Sequence, residues 1–302
     1  MSYGLYKITT VLLLRYVKLR ITNSRSAVDL AYKIHGDCYK KSIPIIVLHG
    51  LLGSKRNWDS ISKRMATELN TCTVVADARN HGQSPHNNSH TYLDLAMDVS
   101  KLMTTLKIKK STIVGHSMGG RTAMVLALTQ PDVIHCLVIV DISPIPRVDG
   151  ALKKTFPNLM KVLKSVKFDG AKNISQARDL ARKQILASGQ IKNLEEMSFL
   201  LINIAERPNK QFYWLCNLDV LGESFQYIAS FPKEMGSKKF NGPTLFIGGG
   251  NSDYIVPTDL HSIKNLFPEA ELKYIPGAGH NVHAENPTKF FEIVKEFLLN
   301  NK

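Results

Sequence analysis

In the stretch STIVGHSMGGRTAMVLAL, Ser111 to Leu128, a serine, Ser117, stands between Gly115 and Gly119. A strand-like apolar run precedes it and a helix-like run follows at once. The serine caps no obvious helix start and lies on no polar face. The pattern Gly115-His116-Ser117-Met118-Gly119 is G-x-S-x-G, the form of a nucleophile elbow when it joins a strand to a helix. The flanking glycines are required because a Cβ at either position would collide with neighbouring backbone. The following helix turns its N-terminal dipole toward the serine, where negative charge would develop during acyl transfer.

A serine hydroxyl is a weak nucleophile without a base. The segment YIPGAGHNVHAENP supplies His280, just after the last strand-like run, with His283 as the alternative. The Gly-Ala-Gly before His280 lets the backbone deliver an imidazole to a fixed point, which favours it over His283. An acid must orient that imidazole. Asp141 ends the strand CLVIVD and Asp253 follows TLFIGGG, both at strand ends on the side of the sheet where Ser117 lies. Two backbone N–H groups must meet the oxyanion of the tetrahedral intermediate. Met118, directly after the nucleophile, supplies one. Leu51, in the loop after IVLHG that Gly50 and Gly53 keep supple, supplies the other. This chemistry requires no metal and no organic cofactor.

Those residues need a frame that brings strand ends together. From about residue 27 the chain alternates strand and helix patterns. IPIIVLHG is a continuous apolar run closed by glycine, as suits a parallel strand buried on both faces. A helical stretch with Trp58, Ile61 and Met65 follows, then CTVVADARNHG as a strand. TYLDLAMDVSKLMTTLKIK spaces Leu95, Val99, Leu102, Met103 and Leu106 as a helix does. STIVGHS, HCLVIVDISP, PTLFIGGG and ELKYIP continue the strands, and PTKFFEIVKEFLL is the terminal helix. Between Ile145 and about Phe240 the pattern is helical with no convincing strand. The reading is a mostly parallel sheet with helices on both faces and a helical cap inserted at about 145–240.

The chain has 302 residues, 44% hydrophobic and 21% charged, which suits one large α/β domain with an insert. Lys and Arg number 39 against 25 Asp and Glu, a net charge of +14. The basic residues are scattered, with no stripe interleaved with aromatics, so nucleic acid is not the expected partner. No apolar run reaches the roughly 18–20 residues that span a bilayer. Cys38, Cys72, Cys136 and Cys216 form no C-x-x-C pair, so zinc is not expected. Cys72 and Cys136 lie in apolar strands and read as buried free thiols, in keeping with a reducing compartment.

Residues 1–26 carry Lys7, Arg15, Lys18, Arg20 and Arg25, and no acid appears before Asp29. A basic, hydroxyl-rich, acid-free start reads as a mitochondrial presequence, with the matrix as destination. A secretory signal is the rival, but its apolar core, Ile8 to Leu14, is short and runs into Arg15 without a small-residue cleavage site. The domain that folds is then 27–302.

The order of LHGLLGSKRNW, VVADARNHGQSPH, VGHSMGGRTAM, VDISP, LFIGGGNS and IPGAGHNVHAENP resembles that of the α/β-hydrolases, and within them the α/β-hydrolase domain-containing protein 11 group. The resemblance covers nearly everything after residue 27. It implies a serine hydrolase of esterase or lipase type with a mitochondrial home. VDISP belongs to the family pattern and supports Asp141 as the acid, whereas many other α/β-hydrolases carry the acid where Asp253 stands. Asp219, in WLCNLDVL, is a third possibility, on a segment that also resembles the family. The order of preference is Asp141, Asp253, Asp219.

The cap should choose the substrate. Its Phe156, Leu159, Met160, Phe199, Leu200, Phe212, Tyr213, Trp214 and Leu215 read mostly as the cap's own core, with an apolar pocket beneath that suits an acyl chain. Lys153, Lys154, Lys161 and Lys164 read as a solvated helix face, or as a site of peripheral contact with anionic lipid. The expected activity is hydrolysis of a carboxylic ester, with lipid esters such as glycerides as the expected substrates. The alternatives are acyl transfer or thioester cleavage on the same serine, or a non-catalytic partner of mitochondrial protein complexes.

Overall fold

The computed structural model describes residues 27–38, 42–145, 151–191 and 194–301, with backbone alone for 151–154 and 194–196. Residues 1–26, and with them the expected presequence, lie outside the described residues. Strand and helix alternate from the start: β1 (Tyr32–His35), β2 (Ile45–Leu48), α1 (Asp59–Glu68), β3 (Thr73–Ala76), α2 (Tyr92–Thr105), β4 (Ser111–His116), α3 (Met118–Thr129) and β5 (Ile134–Val140). The cap follows as α4 (Ala151–Ser165), α5 (Ile174–Ala187), α6 (Leu194–Leu201), β6 (Ile204–Glu206), β7 (Phe212–Trp214), α7 (Leu218–Glu223) and α8 (Phe225–Ile228). The sheet resumes with β8 (Thr244–Gly249), α9 (Asp259–Leu266) and β9 (Ala270–Ile275), and the chain ends on α10 (Val282–Glu285) and α11 (Pro287–Asn300).

Among the described residues one seven-stranded sheet runs in the order β1-β3-β2-β4-β5-β8-β9. Only β1 is antiparallel, pairing β3 at the edge. The central strands β2, β3, β4 and β8 are buried at every position, because both faces are covered. The helices α2, α3 and α9 pack a core on one face around Ile46, Ile113 and Leu137. The helices α1 and α11 pack the other face around Val47, Val114 and Val138. Every crossover leaves the carboxyl ends of the parallel strands on one side, and the loops after β2, β4, β5, β8 and β9 gather there. That is where an open sheet binds ligands.

The cap has a core of its own, including Phe156, Met160, Ala181, Leu200 and Leu221. Leu52, from the loop after β2, is counted in that core rather than in the sheet's. The cap also contains an antiparallel pair, β6 with β7, where the sequence pattern gave helices alone. Three-residue strands are too short for alternation to declare them. A second departure concerns Cys72, which is joined to Cys38 in a disulfide rather than lying free, whereas Cys136 and Cys216 are buried thiols. Sequence spacing could not foresee the pairing, because the antiparallel β1–β3 contact brings the two together at a Cα separation of 4.7 Å. Among the described residues no helix is long and apolar enough to cross a membrane.

Candidate active site

Ser117 sits between β4 and α3 with φ 51° and ψ −116°, a backbone conformation that L-residues rarely adopt. Its N–H bonds the carbonyl of Val140 at 2.9 Å, locking the turn to β5. It stands at the N-cap of α3, yet its hydroxyl makes no capping bond, so the oxygen is not spent on the helix end. The glycines meet their expected constraint. A Cβ on Gly115 would lie 2.4 Å from the carbonyl oxygen of Gly119, and one on Gly119 would lie 2.4 Å from that of Leu48. A Cβ on Gly120 would lie 2.6 Å from Ile142 Cγ2, so glycine there lets α3 lie close to the sheet.

His280 Nδ1 donates to Asp141 Oδ2 at 2.7 Å. Asp141 is fully buried and follows β5 at once; its Oδ1 accepts the Gly249 N–H at 2.9 Å, and its Oδ2 accepts the Ser252 hydroxyl. With Nδ1–H committed to the carboxylate, the Nε2 of His280 is left as the basic nitrogen. The imidazole stacks on Tyr254, with centroids 3.8 Å apart. Its loop is held by Glu285, whose carboxylate accepts from Gly279 N at 2.6 Å and Asn281 N at 3.0 Å. His116 Nε2–H donates to the carbonyl of His280 at 2.9 Å. Gly249 allows this closeness, for a Cβ there would sit 2.2 Å from the Gly279 oxygen.

Ser117 and His280 line one cavity of about 330 Å³ together with Leu51, Phe156, Phe199 and Tyr254. No direct hydrogen bond joins Ser117 to His280 among the described residues; such bonds commonly tighten only when substrate arrives. The other sequence candidates lie elsewhere. Asp253 is exposed beside Tyr254 and is not among Asp141's or His280's partners. Asp219 lies out on the cap, exposed and paired with Lys164 at 2.7 Å. His283 is buried flat against Trp58, centroids 3.9 Å apart, and burial drives its pKa down to about 3. Of the cap lysines, Lys164 is thus engaged, Lys161 is exposed, and the side chains of Lys153 and Lys154 lie outside the described residues.

The oxyanion side is a turn, Gly50 to Gly53, closed by Gly53 N to Gly50 O at 3.0 Å. Leu52 has φ 57°, the sign a type II turn needs at its third position. Leu52 N–H donates to His81 Nε2 at 3.1 Å. Among the described residues Leu51 N–H, alone of the three in Leu51, Leu52 and Gly53, has no acceptor. Met118 N–H is the first of α3 and lacks an intrahelical acceptor for that reason. The two amides named from sequence are therefore both unspent, Leu51 on the wall of the cavity and Met118 directly after the serine that lines it.

Around the site lie neutral histidines. Burial, first of all, holds His49, His81 and His116 below the usual imidazole range, and brings His90 to about 3. Among the described residues no group of three or more His, Cys, Asp or Glu side chains could hold a metal ion. Sequence reasoning missed Ser252, Tyr254, Glu285, His81 and Asn203, a cap residue whose side chain bonds the Leu52 carbonyl. Only Ser252 and Glu285 left any sequence signal, as polar residues close behind the glycines of LFIGGG and GAGH.

The profile of the alpha/beta hydrolase fold family matches residues 43–287. The chain belongs to the α/β-hydrolases. It is 41% identical over 254 residues to a Mus musculus protein named sn-1-specific diacylglycerol lipase ABHD11, covering 84% of this chain and 80% of that one. It is 31% identical over 255 residues to Esterase YbfF of Escherichia coli, covering 84% and 92%. A solved structure titled marine microorganism esterase superposes on this α/β-hydrolase with TM-score 0.81 at 34% identity, covering 89% of this chain and 99% of the other.

Proposed function

We propose that this α/β-hydrolase cleaves lipid esters, acylglycerols foremost, with Ser117 as nucleophile, His280 as general base and acid, and Asp141 as the orienting carboxylate. That the protein is a serine hydrolase of carboxylic esters follows from its family and from relatives named as lipases and esterases. The observation that carries the residue roles is the 2.7 Å bond from His280 Nδ1 to buried Asp141, with the same imidazole on the cavity that Ser117 lines. His280 Nε2 takes the Ser117 proton as the oxygen attacks the ester carbonyl. The N–H groups of Leu51 and Met118 receive the oxyanion. The intermediate expels the alcohol with the proton returned from His280. The same imidazole then activates water to release the acid.

The lipid assignment is supported by the cavity wall and by the name of the mouse relative. Phe156, Leu159, Phe199 and Leu200 of the cap face the cavity, apolar surface suited to an acyl chain. Some of these belong to the cap's own core as well, so one set of side chains both holds the cap and shapes the pocket. The test is hydrolysis of p-nitrophenyl esters and diacylglycerols of graded chain length, with Ser117→Ala as blank and fluorophosphonate labelling in parallel. Wild type should label and turn over, and Ser117→Ala should lose about 10⁴-fold or more. A Ser117→Ala protein as active as wild type ends the assignment. Residues 1–26, basic and acid-free, are proposed to direct the chain to mitochondria; their fusion to a fluorescent protein should co-localise with a matrix marker, and a diffuse signal would refute it.

A further inference from the structure

Leu52 is the unusual residue of the oxyanion turn. A left-handed backbone is unfavourable for an L-residue, a cost glycine avoids. Such strain persists where surrounding structure over-determines it, and it collects at functional sites. Here the surroundings are specific. The peptide before Leu52 is fixed by its N–H, which donates to His81 Nε2 at 3.1 Å. The peptide after it is fixed by its carbonyl, which accepts from Asn203 Nδ2 at 2.5 Å. His81 and Asn203 are both buried, and they come from unrelated segments: the loop after β3, and the cap between α6 and β6. The Leu52 side chain is itself buried in the cap core.

Each anchor is in turn held. His81 Nδ1–H donates to the Arg79 carbonyl at 3.0 Å, which leaves Nε2 as an acceptor. Burial holds the ring neutral, so the acceptor persists at physiological pH. The loop that carries His81 closes around Asp77, whose carboxylate accepts Lys55 N at 2.7 Å and Gln83 N at 2.9 Å. Asn203 accepts Leu215 N at 2.8 Å through its carbonyl, tying it to the cap strand pair. The cap is also fastened directly to the His81 loop, by Asn217 N to Asn80 O at 2.9 Å.

We propose that Asn203 and His81 are positioning residues for the oxyanion hole: gripping the two peptides that flank Leu52, they set the aim of the Leu51 N–H, so the cap contributes to the rate of the reaction and not only to the fit of substrate. This rests on the serine hydrolase reading of Ser117. Without the two grips the central peptide of the turn is free to flip toward the type I arrangement, which places no residue at positive φ. The flip turns over the Leu51 carbonyl and the Leu52 N–H and frees the chain just after the Leu51 Cα, so the Leu51 N–H, in the preceding peptide, loses the support that holds it in place for the tetrahedral oxygen, where donor placement matters most.

The test is steady-state hydrolysis of p-nitrophenyl butyrate by the full chain and by Asn203→Leu, His81→Phe and His81→Gln, with thermal unfolding recorded for each. Asn203→Leu keeps the shape and removes the donor; His81→Phe removes the acceptor, and His81→Gln restores one. Asn203→Leu and His81→Phe should each lower kcat about 10- to 100-fold with KM within about twofold. Inhibition by an alkyl trifluoromethyl ketone, whose serine adduct places an oxyanion in the same position, should weaken by the same factor, and His81→Gln should recover most of both. Folded Asn203→Leu and His81→Phe with wild-type kcat overturn the proposal alone. So does a loss of kcat that His81→Gln does not recover, or one that leaves ketone inhibition unchanged. Wild type no faster than Ser117→Ala overturns the hydrolase reading and the proposal with it. Should Asn203→Leu not fold, the His81 pair decides by the same criteria.

Discussion

The turn after β4 and the turn after β2 each hold a non-glycine residue at positive φ, Ser117 at 51° and Leu52 at 57°, and both border the same cavity. They are enforced by different means. The Ser117 turn is held by backbone: its own N–H reaches Val140, and the glycines on either side allow β4, α3 and β2 to approach within contact distance. The Leu52 turn is held by side chains from far along the chain, one of them in the cap. Backbone enforcement is local and rigid. Side-chain enforcement makes the geometry depend on how the cap sits. One half of the site is thus built into the sheet, and the other half is completed by the insert.

The sharpest way to break the first half is at its acid. Asp141→Asn should leave the fold intact and lower kcat/KM about 10³- to 10⁴-fold, because an amide can hold the imidazole in the wrong tautomer. Asp253→Asn and Asp219→Asn should stay within about twofold. Kinetics on the three variants side by side check this, and a large loss at either of the latter two would reassign the acid.

Those three aspartates also show how far the sequence could be read. Ser117, Gly115 and Gly119 were legible because an elbow is a local object: its residues adjoin one another and its strain demands glycine. His280 was legible because its loop follows the last strand. The acid was open because the ends of β5 and β8 lie side by side, and no local rule says which carboxylate meets the imidazole. Its selection depends on Gly249 N–H and Ser252 converging on Asp141, a matter of packing between strands. His81 and Asn203 were invisible for the same reason in stronger form. A histidine in a polar loop and an asparagine in a helical stretch carry no mark of meeting at a turn 29 and 151 residues away from them. The parallel sheet was legible from its apolar runs, and the cap's short strand pair was not.

Gly119→Ala tests the backbone enforcement directly. The added methyl would stand 2.4 Å from the Leu48 oxygen and 2.7 Å from that of His49, both backbone atoms with little room to yield. A loss of about 3 kcal/mol or more is expected in denaturant unfolding, with activity falling as the elbow shifts.

Acid should loosen both halves together. His90 and His283 have folded-state pKa values of about 3, against an ordinary value of 6.5, burial being the first cause in each. A lowered folded value means that the unfolded chain takes up protons first as pH falls. The stability present above about 6.5 is therefore lost progressively toward about 3, at up to roughly 1.4 kcal/mol per pH unit for each histidine. His49, His81 and His116, shifted in the same direction, add to the slope. Thermal unfolding should show a midpoint that falls steadily between pH 6.5 and 5 and is nearly flat from 7 to 8. His283→Phe, which keeps an aromatic ring against Trp58, should flatten the acid limb; an unchanged slope would show that His283 takes no part in it.

The smallest effect separates strain from packing at Leu52. Leu52→Ala keeps the left-handed backbone and empties a buried site, at a cost of about 2–5 kcal/mol. Leu52→Gly empties the same site but removes the roughly 1–2 kcal/mol of conformational strain. At an ordinary position glycine is worse than alanine, through the entropy of the unfolded chain. Here the order should invert, with Leu52→Gly unfolding at a higher denaturant midpoint than Leu52→Ala by an amount equivalent to about 1 kcal/mol, and both below wild type. The activities should run the same way, because alanine gains by leaving the strained turn that His81 and Asn203 hold and glycine does not. Alanine above glycine in stability would mean that the turn carries no strain, and the contrast with Ser117 would lose its physical basis.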